Sequence, residues 1–289
     1  MQSELLRNDS AGSPGVPDSV RRELEARLVE GKLELPLLPA VAMELTSAAA
    51  REDVDMRVLA EMLKRDPALS AHVLRVVNSP LYSPRGQIVS LQQAVARVGA
   101  SKIREISLVI ACKTGVFKVK GFEREIAEIF QHSVATALFG QEIARQTRNN
   151  VEDAFLCGLL HDVGRPVLLQ ALGALLREAR VAVDRPAVLE LVSAQHELAG
   201  GALARAWGLP ETVQAAIREH HGAALDTQPN AVRITALADC MAHGTLDPGA
   251  DPARVANHPA IALLDIYPDV LEKITKLAAN VQKTTGVLS

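Results

Sequence analysis

G-L-L-H-D-V-G-R, residues 158–165, is the stretch on which the interpretation of this 289-residue chain depends. The stretch is apolar up to Leu160 and then sets His161 beside Asp162, two side chains that bind divalent metals well. We expect a helix over about 150–160 that ends at this pair and a second helix from about 166 to 181. Gly164 lies between the two helices and would allow close approach of another backbone.

The composition excludes several classes of protein. Apolar residues make up 48% of the chain, aromatic residues 3%, and the formal net charge is −3. These values favour a globular fold over a general nucleic-acid binder or a base-stacking platform. The three cysteines form no CxxC pair, which indicates reduced core residues rather than disulfides. We expect a cytoplasmic protein, because neither a signal peptide nor a membrane span is evident, and we expect no membrane or nucleic-acid partner.

Helical periodicity predominates along the chain, so the predicted fold class is all-α, with one weak strand candidate at Val116–Val119. Residues 1–17 are rich in Gly and Pro and are predicted to be a flexible lead-in. Asp18 or Ser19 is expected to cap the first helix, and Asp66-Pro67 to open another. Asn78 is expected mainly to help end that helix. Further helices are predicted at about 90–98, 101–117, 123–147, 186–206, 211–221, 229–243 and 261–283.

Eight residues that could bind a metal occur in order over about a hundred positions, and imidazole and carboxylate are the usual ligands of divalent metals. They are Glu128, His132, His161, Asp162, His196, His220, His221 and Asp239. The alternative is a hydrogen-bonded structural set, in which His161-Asp162 caps a neighbouring helix or holds the 150–160 helix against the next, and His220-His221 ends a helix. The remaining histidines, His72, His243 and His258, are expected to be surface or cap residues.

Several motifs resemble those of one bacterial family. The first half carries an L-P-x-L-P run from residue 35, D-P-A-L-S-A-H-V-L-R-V-V-N-S-P-L-Y at 66–82 and S-L-Q-Q-A-V-A-R-V-G at 90–99. The second half carries Q-H-S-V-A-T-A at 131–137, G-L-L-H-D-V-G-R at 158–165, H-E-L-A-G-G-A-L-A-R-A-W-G-L-P at 196–210 and A-I-R-E-H-H at 216–221. From about residue 33 to 225 the chain resembles the HDOD family, a degenerate branch of the HD superfamily.

The resemblance implies an N-terminal helical lobe, 18–120, packed on an HD-like helical lobe, 121–244. Residues 245–289 are then predicted to be a C-terminal helical extension. Family members are regarded as regulatory and often without catalysis. We therefore expect a signal-transduction module that acts mainly through protein or ligand binding. Its expected partners are signalling proteins, and the extension is a candidate surface for docking or for a homodimer.

Comparison with the HD superfamily also implies a ligand set for one or two divalent metals, such as Fe, Mn, Zn or Ni. The first would take His132, His161, Asp162 and Asp239. The second would share Asp162 and add His196, His220 and His221. Glu128, one helical turn before His132, would ligate the metal or orient that imidazole.

The alternative function is that of a metal-dependent phosphohydrolase acting on a nucleotide or a cyclic dinucleotide. Two metals can activate a water and clamp a phosphate, and Arg165 or Lys102 would neutralise the phosphate charge. The sequence departs, however, from the H-H-E-x-x-D-G-x-G-Y-P run of the related HD-GYP phosphodiesterases. After His220-His221 come Gly222, Ala223 and Ala224. This difference favours the regulatory interpretation over hydrolysis.

Overall fold

The computed structural model describes residues 6–7, 15–36, 40, 44, 56–79, 82, 87–116 and 119–288. The fold is all-α, as predicted. Its helices are α1 (Asp18–Val29), α2 (Met56–Lys64), α3 (Pro67–Val77), α4 (Leu91–Val98), α5 (Ala100–Gly115), α6 (Glu123–Gln146), α7 (Val151–Leu160), α8 (Gly164–Ala179), α9 (Arg185–Ala206), α10 (Glu211–Glu219), α11 (Asn230–Leu246), α12 (Ala253–Ala256), α13 (Ala260–Leu263), α14 (Pro268–Thr275) and α15 (Ala278–Leu288).

The predicted helix boundaries agree with most of these elements to within a few residues. The cap before α3 is as expected: the Leu69 backbone N–H donates to Asp66 Oδ1 at 3.0 Å. The cap before α1 is not as expected, since Pro17 holds the cap position and Asp18 is the first helical residue. Asp18 instead places its negative charge in the first turn, where the helix dipole favours it.

The prediction of one helix over 261–283 is wrong, because three short helices occupy that region. Asp265 ends the first of them in the left-handed region, with a φ of +52°. Tyr267 is extended, with a ψ of 156°, and Pro268 then opens α14. Proline has no N–H to donate and pushes the residue before it out of the helical region, so a continuous helix cannot pass through this point.

Helix α6 lies at the centre of the second half of the chain and packs against α7 and α11. The neighbouring helices pack in sequence, α8 against α9, α9 against α10, and α10 against α7. The N-terminal helices α2 to α5 pack on one another around the same main core. A second apolar cluster, which includes Phe139, Leu237 and Ile274, joins α6 and α11 to the C-terminal helices. The division into two lobes and an extension stays a prediction.

The other regular elements of the described residues are two very short strands and one 3-10 turn. Strand β1 (Leu6–Arg7) runs parallel to β2 (Val183–Asp184), and the 3-10 turn covers Leu225–Thr227. The strand predicted at 116–119 cannot be followed, because residues 117 and 118 lie outside the described part of the chain. No described helix is long and apolar enough to cross a bilayer.

Two side chains anchor loops through hydrogen bonds, and for Asn78 the sequence predicted a role at the end of its helix. Asn78 ends α3 and holds the segment before α4: its amide donates to Ile88 O at 2.7 Å and its carbonyl accepts from Ile88 N at 2.7 Å. Trp207, at the end of α9, is buried and donates its indole N–H to Pro36 O at 2.9 Å. Both residues therefore have structural roles in joining distant parts of the chain.

Helices α6 and α7 approach closely at a glycine. A methyl group on Gly158 would lie 2.6 Å from Ala137 Cα and 2.7 Å from Ala137 N. Both atoms belong to the backbone, so a side chain at 158 would have to push the two helices apart. The contact limits the distance between two candidate ligands, because α6 carries His132 and α7 leads directly into His161.

We predict that Gly158→Ala lowers the free energy of unfolding by about 3 kcal/mol, at the upper end of the cost of overpacking a core. Gly173→Ala is the matched control on α8, where the nearest atom is the mobile Arg177 Nη1 at 3.4 Å. That control should be neutral or gain up to about 1 kcal/mol from helix propensity. Urea denaturation measures both values, and equal stability of the two variants would contradict the close α6–α7 contact.

Candidate metal centre

Six buried polar side chains converge from separate parts of the chain. Each is less than a tenth exposed: His132 on α6, His161 and Asp162 in the turn between α7 and α8, His196 on α9, His220 directly after α10, and Asp239 on α11. All six belong to the set predicted from the sequence. Charged and polar groups of this kind are seldom buried together unless they are paired or bind a metal.

Glycine contacts bring the elements of this centre together. A methyl group on Gly164 would lie only 1.9 Å from His196 O and 2.6 Å from Gly200 N, so α8 meets α9 backbone to backbone. The close approach that we expected at Gly164 is therefore present. It brings the His161-Asp162 turn to the turn of α9 that carries His196.

One half of the centre is built around Asp239. His132 Nε2 lies 2.7 Å from Asp239 Oδ1. His161 Nε2 lies 3.6 Å from the same oxygen and 3.6 Å from Asp162 Oδ2. These distances bring together the four residues predicted to hold the first metal.

The other half is built around the second oxygen of Asp162. Asp162 Oδ1 lies 3.3 Å from His196 Nε2 and 3.8 Å from His220 Nε2. The exposed His221 ring lies 4.2 Å from the His220 ring, centroid to centroid. His196, His220 and His221 each offer a nitrogen within 4.8 Å of the others. Asp162 thus faces both halves, and its role as a bridging ligand stays a prediction.

Backbone hydrogen bonds fix the tautomers of three imidazoles. His161 Nδ1 lies 2.8 Å from Gly158 O, His196 Nδ1 lies 2.7 Å from Ser193 O, and His220 Nδ1 lies 3.0 Å from Ala216 O. A carbonyl oxygen only accepts, so each Nδ1 must carry the proton. When such a ring is neutral, its Nε2 presents a lone pair, as in a metal-binding histidine, and when the ring is protonated, Nε2 can donate to a carboxylate.

The structural alternative fits His220, which ends α10 and bonds to a carbonyl of that helix, but a capping role toward a neighbouring helix does not fit His161. His161 bonds to a carbonyl of its own helix and does not cap a neighbouring one. Within the described residues, His161 Nε2 and Asp162 Oδ1 are buried and have no hydrogen-bond partner. His196 Nε2 and His220 Nε2 lie 3.3 Å apart. Two neutral rings held in these tautomers would bring two lone pairs together there.

The surroundings of Asp162 and Asp239 favour the ionised form of both carboxylates. Burial alone would raise the pKa of Asp162, but His161, His220 and Arg165 outweigh it and hold that pKa well below its usual value. Burial likewise opposes ionisation of Asp239, yet His132 and His161 lower its pKa well below the usual value. Burial lowers the pKa of His196 to about 3, so that ring is neutral near pH 7.

The residues present fit a divalent cation. Two ionised carboxylates share the centre with Arg165, whose Nε lies 2.7 Å from Asp162 Oδ2. Arg165 matches the charge of Asp162, whereas Asp239 is paired with the imidazoles of His132 and His161, which match its charge only when they are protonated. Imidazole and carboxylate ligands suit Zn, Fe, Mn or Ni, and a cation would supply the positive charge when these rings are neutral.

A cavity of about 420 Å³ opens directly onto the centre. His132, Asp162 and Arg165 of the centre line it, together with Glu128, His243 and Asp247. Its size lies within the range of small-molecule sites. A ligand in this cavity would reach the carboxylate that faces both halves.

Two predicted residues are placed differently from the rest. Glu128 lines the cavity, but its side chain is exposed and binds Arg124 on the same helix at 2.8 Å. Lys102 is ion-paired with Glu105 one turn along α5, and it does not line the cavity. Arg165 is thus the basic candidate that the structure brings to the centre.

One residue was missed by the sequence reasoning. His243 was expected to be a surface or cap residue, but it belongs to a group with His132 and Asp239 whose ligand atoms lie within 4.8 Å of one another. The signal was available, since His243 follows Asp239 by four residues and the two share a helix face. Of the other histidines, His258 fits the expected cap role: its Nδ1 accepts from Ala260 N at 3.3 Å.

Similar proteins were found in three comparisons. The family model for the HDOD domain matches residues 35–223. An HDOD domain protein with unknown function from Geobacter sulfurreducens has a TM-score of 0.70 and 25% identity, with 92% of this chain and 98% of that chain covered. A provisionally named phosphohydrolase from Shewanella amazonensis SB2B has a TM-score of 0.68 and 25% identity, with 91% and 98% covered.

A curated relative is an uncharacterised protein of Treponema pallidum (strain Nichols), 27% identical over 208 residues. The match covers 69% of this chain but only 40% of that protein, so this chain spans about two fifths of the length of its curated relative. The family model covers more than half of the chain, including the His161-Asp162 turn, His132, His196 and His220. The chain therefore belongs to the HDOD family.

Proposed function

We propose that this chain is a bacterial signalling module that binds divalent metal at the His–Asp centre and a phosphate-bearing ligand in the adjoining cavity. The observation that carries the proposal is the convergence of six buried ligand groups whose Nε2 and carboxylate atoms face one another at 2.7–3.8 Å. Membership of the HDOD family supports the signalling part. A cytoplasmic location, signalling proteins as partners and a homodimer through 245–289 belong to the same proposal.

The retained ligands support metal binding because an uncompensated centre would be costly. Removing a carboxylate from water costs several kcal/mol unless an opposite charge or hydrogen bonds replace the water. Arg165 compensates one of the two carboxylates. Among the described residues Asp239 is ion-paired with imidazoles alone, so a bound cation would match a carboxylate charge that those rings match only when they are protonated.

The cavity supports a phosphate ligand. Arg165 lies on its wall, and its guanidinium has further N–H groups besides the Nε that faces Asp162. A planar guanidinium with several donors suits phosphate oxygens. Arg165 would hold the phosphate against the centre, and Gln131 on the same wall offers an amide group.

A second candidate function is phosphoester hydrolysis, in which a water oxygen bonds to phosphorus and the leaving oxygen departs with a proton. It is favoured by the opening of the cavity onto Asp162, which would let a substrate reach the centre, and the name of the Shewanella relative agrees with it. Divalent metal bound here would supply an activated water and polarise a phosphoryl oxygen. Arg165 would orient the phosphate, and the buried carboxylates would fix the ligand geometry.

We predict that untagged protein purified without chelators contains one to two equivalents of divalent transition metal, measured by elemental analysis. Asp162→Asn keeps the shape of the side chain but removes the charge that faces both halves, so metal content should fall at least about tenfold. Asp226→Ala, at an exposed aspartate, is the matched control and should keep the wild-type content. Metal-free wild type that also takes up no added metal would contradict the proposal.

We also predict that added Mn²⁺ stabilises the metal-stripped protein and that a chelator reverses the effect. Saturation at about 100 times the dissociation constant adds about 2.7 kcal/mol to the free energy of unfolding, because the cation binds the folded state. The expected result is a rise in melting temperature for wild type and Asp226→Ala and no rise for Asp162→Asn. A rise of the same size in all three proteins would show that the metal acts elsewhere.

Hydrolysis is tested separately with metal-loaded protein and bis(p-nitrophenyl) phosphate. If the second candidate is correct, p-nitrophenolate is released, and the rate falls at least about a hundredfold in Asp162→Asn but not in Asp226→Ala. Arg165→Lys should weaken turnover less than Arg165→Ala, because it keeps the charge. No turnover by fully loaded protein would leave ligand binding as the function.

A further inference from the structure

His243 lies on α11 one turn after Asp239, and its side chain is about half exposed, at 52%. The two residues share a helix face because they are four positions apart. A histidine in the last turn of a helix often does no more than meet the helix dipole from the surface. His243 differs from that case, because its ring packs on a buried histidine from another helix.

The geometry around His243 is that of a partly assembled ligand set. Its ring centroid lies 4.3 Å from that of His132, and its Nε2 lies 3.7 Å from Asp239 Oδ1. The ligand atoms of the three residues lie within 4.8 Å of one another. Ligand atoms around a tetrahedral metal with bonds of about 2.0–2.1 Å are roughly 3.3 Å apart. A small rotation of the half-exposed His243 ring would shorten the distance between its Nε2 and Asp239 Oδ1 from 3.7 Å to this value.

A second observation points to a cation rather than to simple ring packing. His132 is buried, and its Nδ1 has no hydrogen-bond partner among the described residues. Its Nε2 faces the Asp239 carboxylate at 2.7 Å. Asp239 itself lies within 3.7 Å of nitrogens from His132, His161 and His243. Two imidazoles and one carboxylate, such as His132, His243 and Asp239, are a common ligand set for a divalent metal.

The group also lies where an open metal site would be useful. His132 and His243 both line the cavity, together with Asp162 and Arg165. The inner imidazoles His161, His196 and His220 do not line it, whereas a metal on the His243 side would face the space where a ligand enters. Sites that act on ligands keep coordination positions open, whereas closed sites are structural.

We propose that His243 is a metal ligand, and that His132, Asp239 and His243 hold a divalent transition metal at the mouth of the cavity. This inference rests on the proposed function, since it adds a ligand to the same centre. His132 and Asp239 are then shared between the mouth and the interior. A phosphate oxygen or water entering the cavity would meet the metal at the mouth first.

The test uses the metal-stripped full chain and Co²⁺ as the probe. Calorimetric titration gives the number and affinity of sites, and visible absorption reports the cobalt coordination. His243→Ala should weaken one class of site by about tenfold or more. His72→Ala is the matched control, because His72 on α3 belongs to no metal-capable group among the described residues. Both variants should unfold at the same temperature as the metal-stripped wild type.

His243→Cys gives a positive readout that a merely structural role would not produce. A thiolate at 243 bound to Co²⁺ gains a sulfur-to-cobalt charge-transfer absorption, which the wild type should lack. This inference would be overturned if the wild type takes up Co²⁺, His243→Ala keeps its sites unchanged and His243→Cys shows no such absorption. The proposed function would then remain intact. A wild type that binds no Co²⁺ would overturn both.

Discussion

The buried carboxylate of Asp162 is the constraint on which the arrangement of the second half of the chain depends. It is only 3% exposed and meets groups from three helices and its own turn: Arg165 at 2.7 Å, His196 at 3.3 Å, His161 at 3.6 Å and His220 at 3.8 Å. A buried charge must be matched by its surroundings or it destabilises the fold. The helices that carry these partners must therefore meet at one point, and the apolar packing around them has to accommodate that requirement.

Glycines make this meeting sterically feasible. Gly158 lets α7 lie against the backbone of α6, and Gly164 lets the start of α8 lie against the backbone of α9. With any side chain at these positions, His132, His161 and His196 would be held further from the carboxylates. The metal-capable residues therefore depend on the glycines near them, because close backbone contact sets the distances between the polar groups.

The sequence predicted most of the helices and six of the residues that converge, because periodicity and residue type carry that information. It could not show convergence, since the ligands are separated by up to 107 positions and local patterns do not determine tertiary distances. His243 was missed although its spacing from Asp239 was visible, because it lies outside the ligand set that the family resemblance implied. Lys102 was assigned to phosphate by charge alone, and its own helix supplies Glu105 to neutralise it. The helix break at Pro268 could have been predicted, because a proline pushes the residue before it out of the helical region.

With this geometry, metal binding and a regulatory role can belong to the same function. The ligand groups come from α6, the α7–α8 turn, α9, the end of α10 and α11, so a cation bound among them would cross-link five parts of the fold. The free energy of metal binding then adds to the free energy of folding of that region. A module whose packing tightens when the centre is filled can transmit occupancy to a partner without any turnover. In such a module the metal-binding side chains have a role even without hydrolysis.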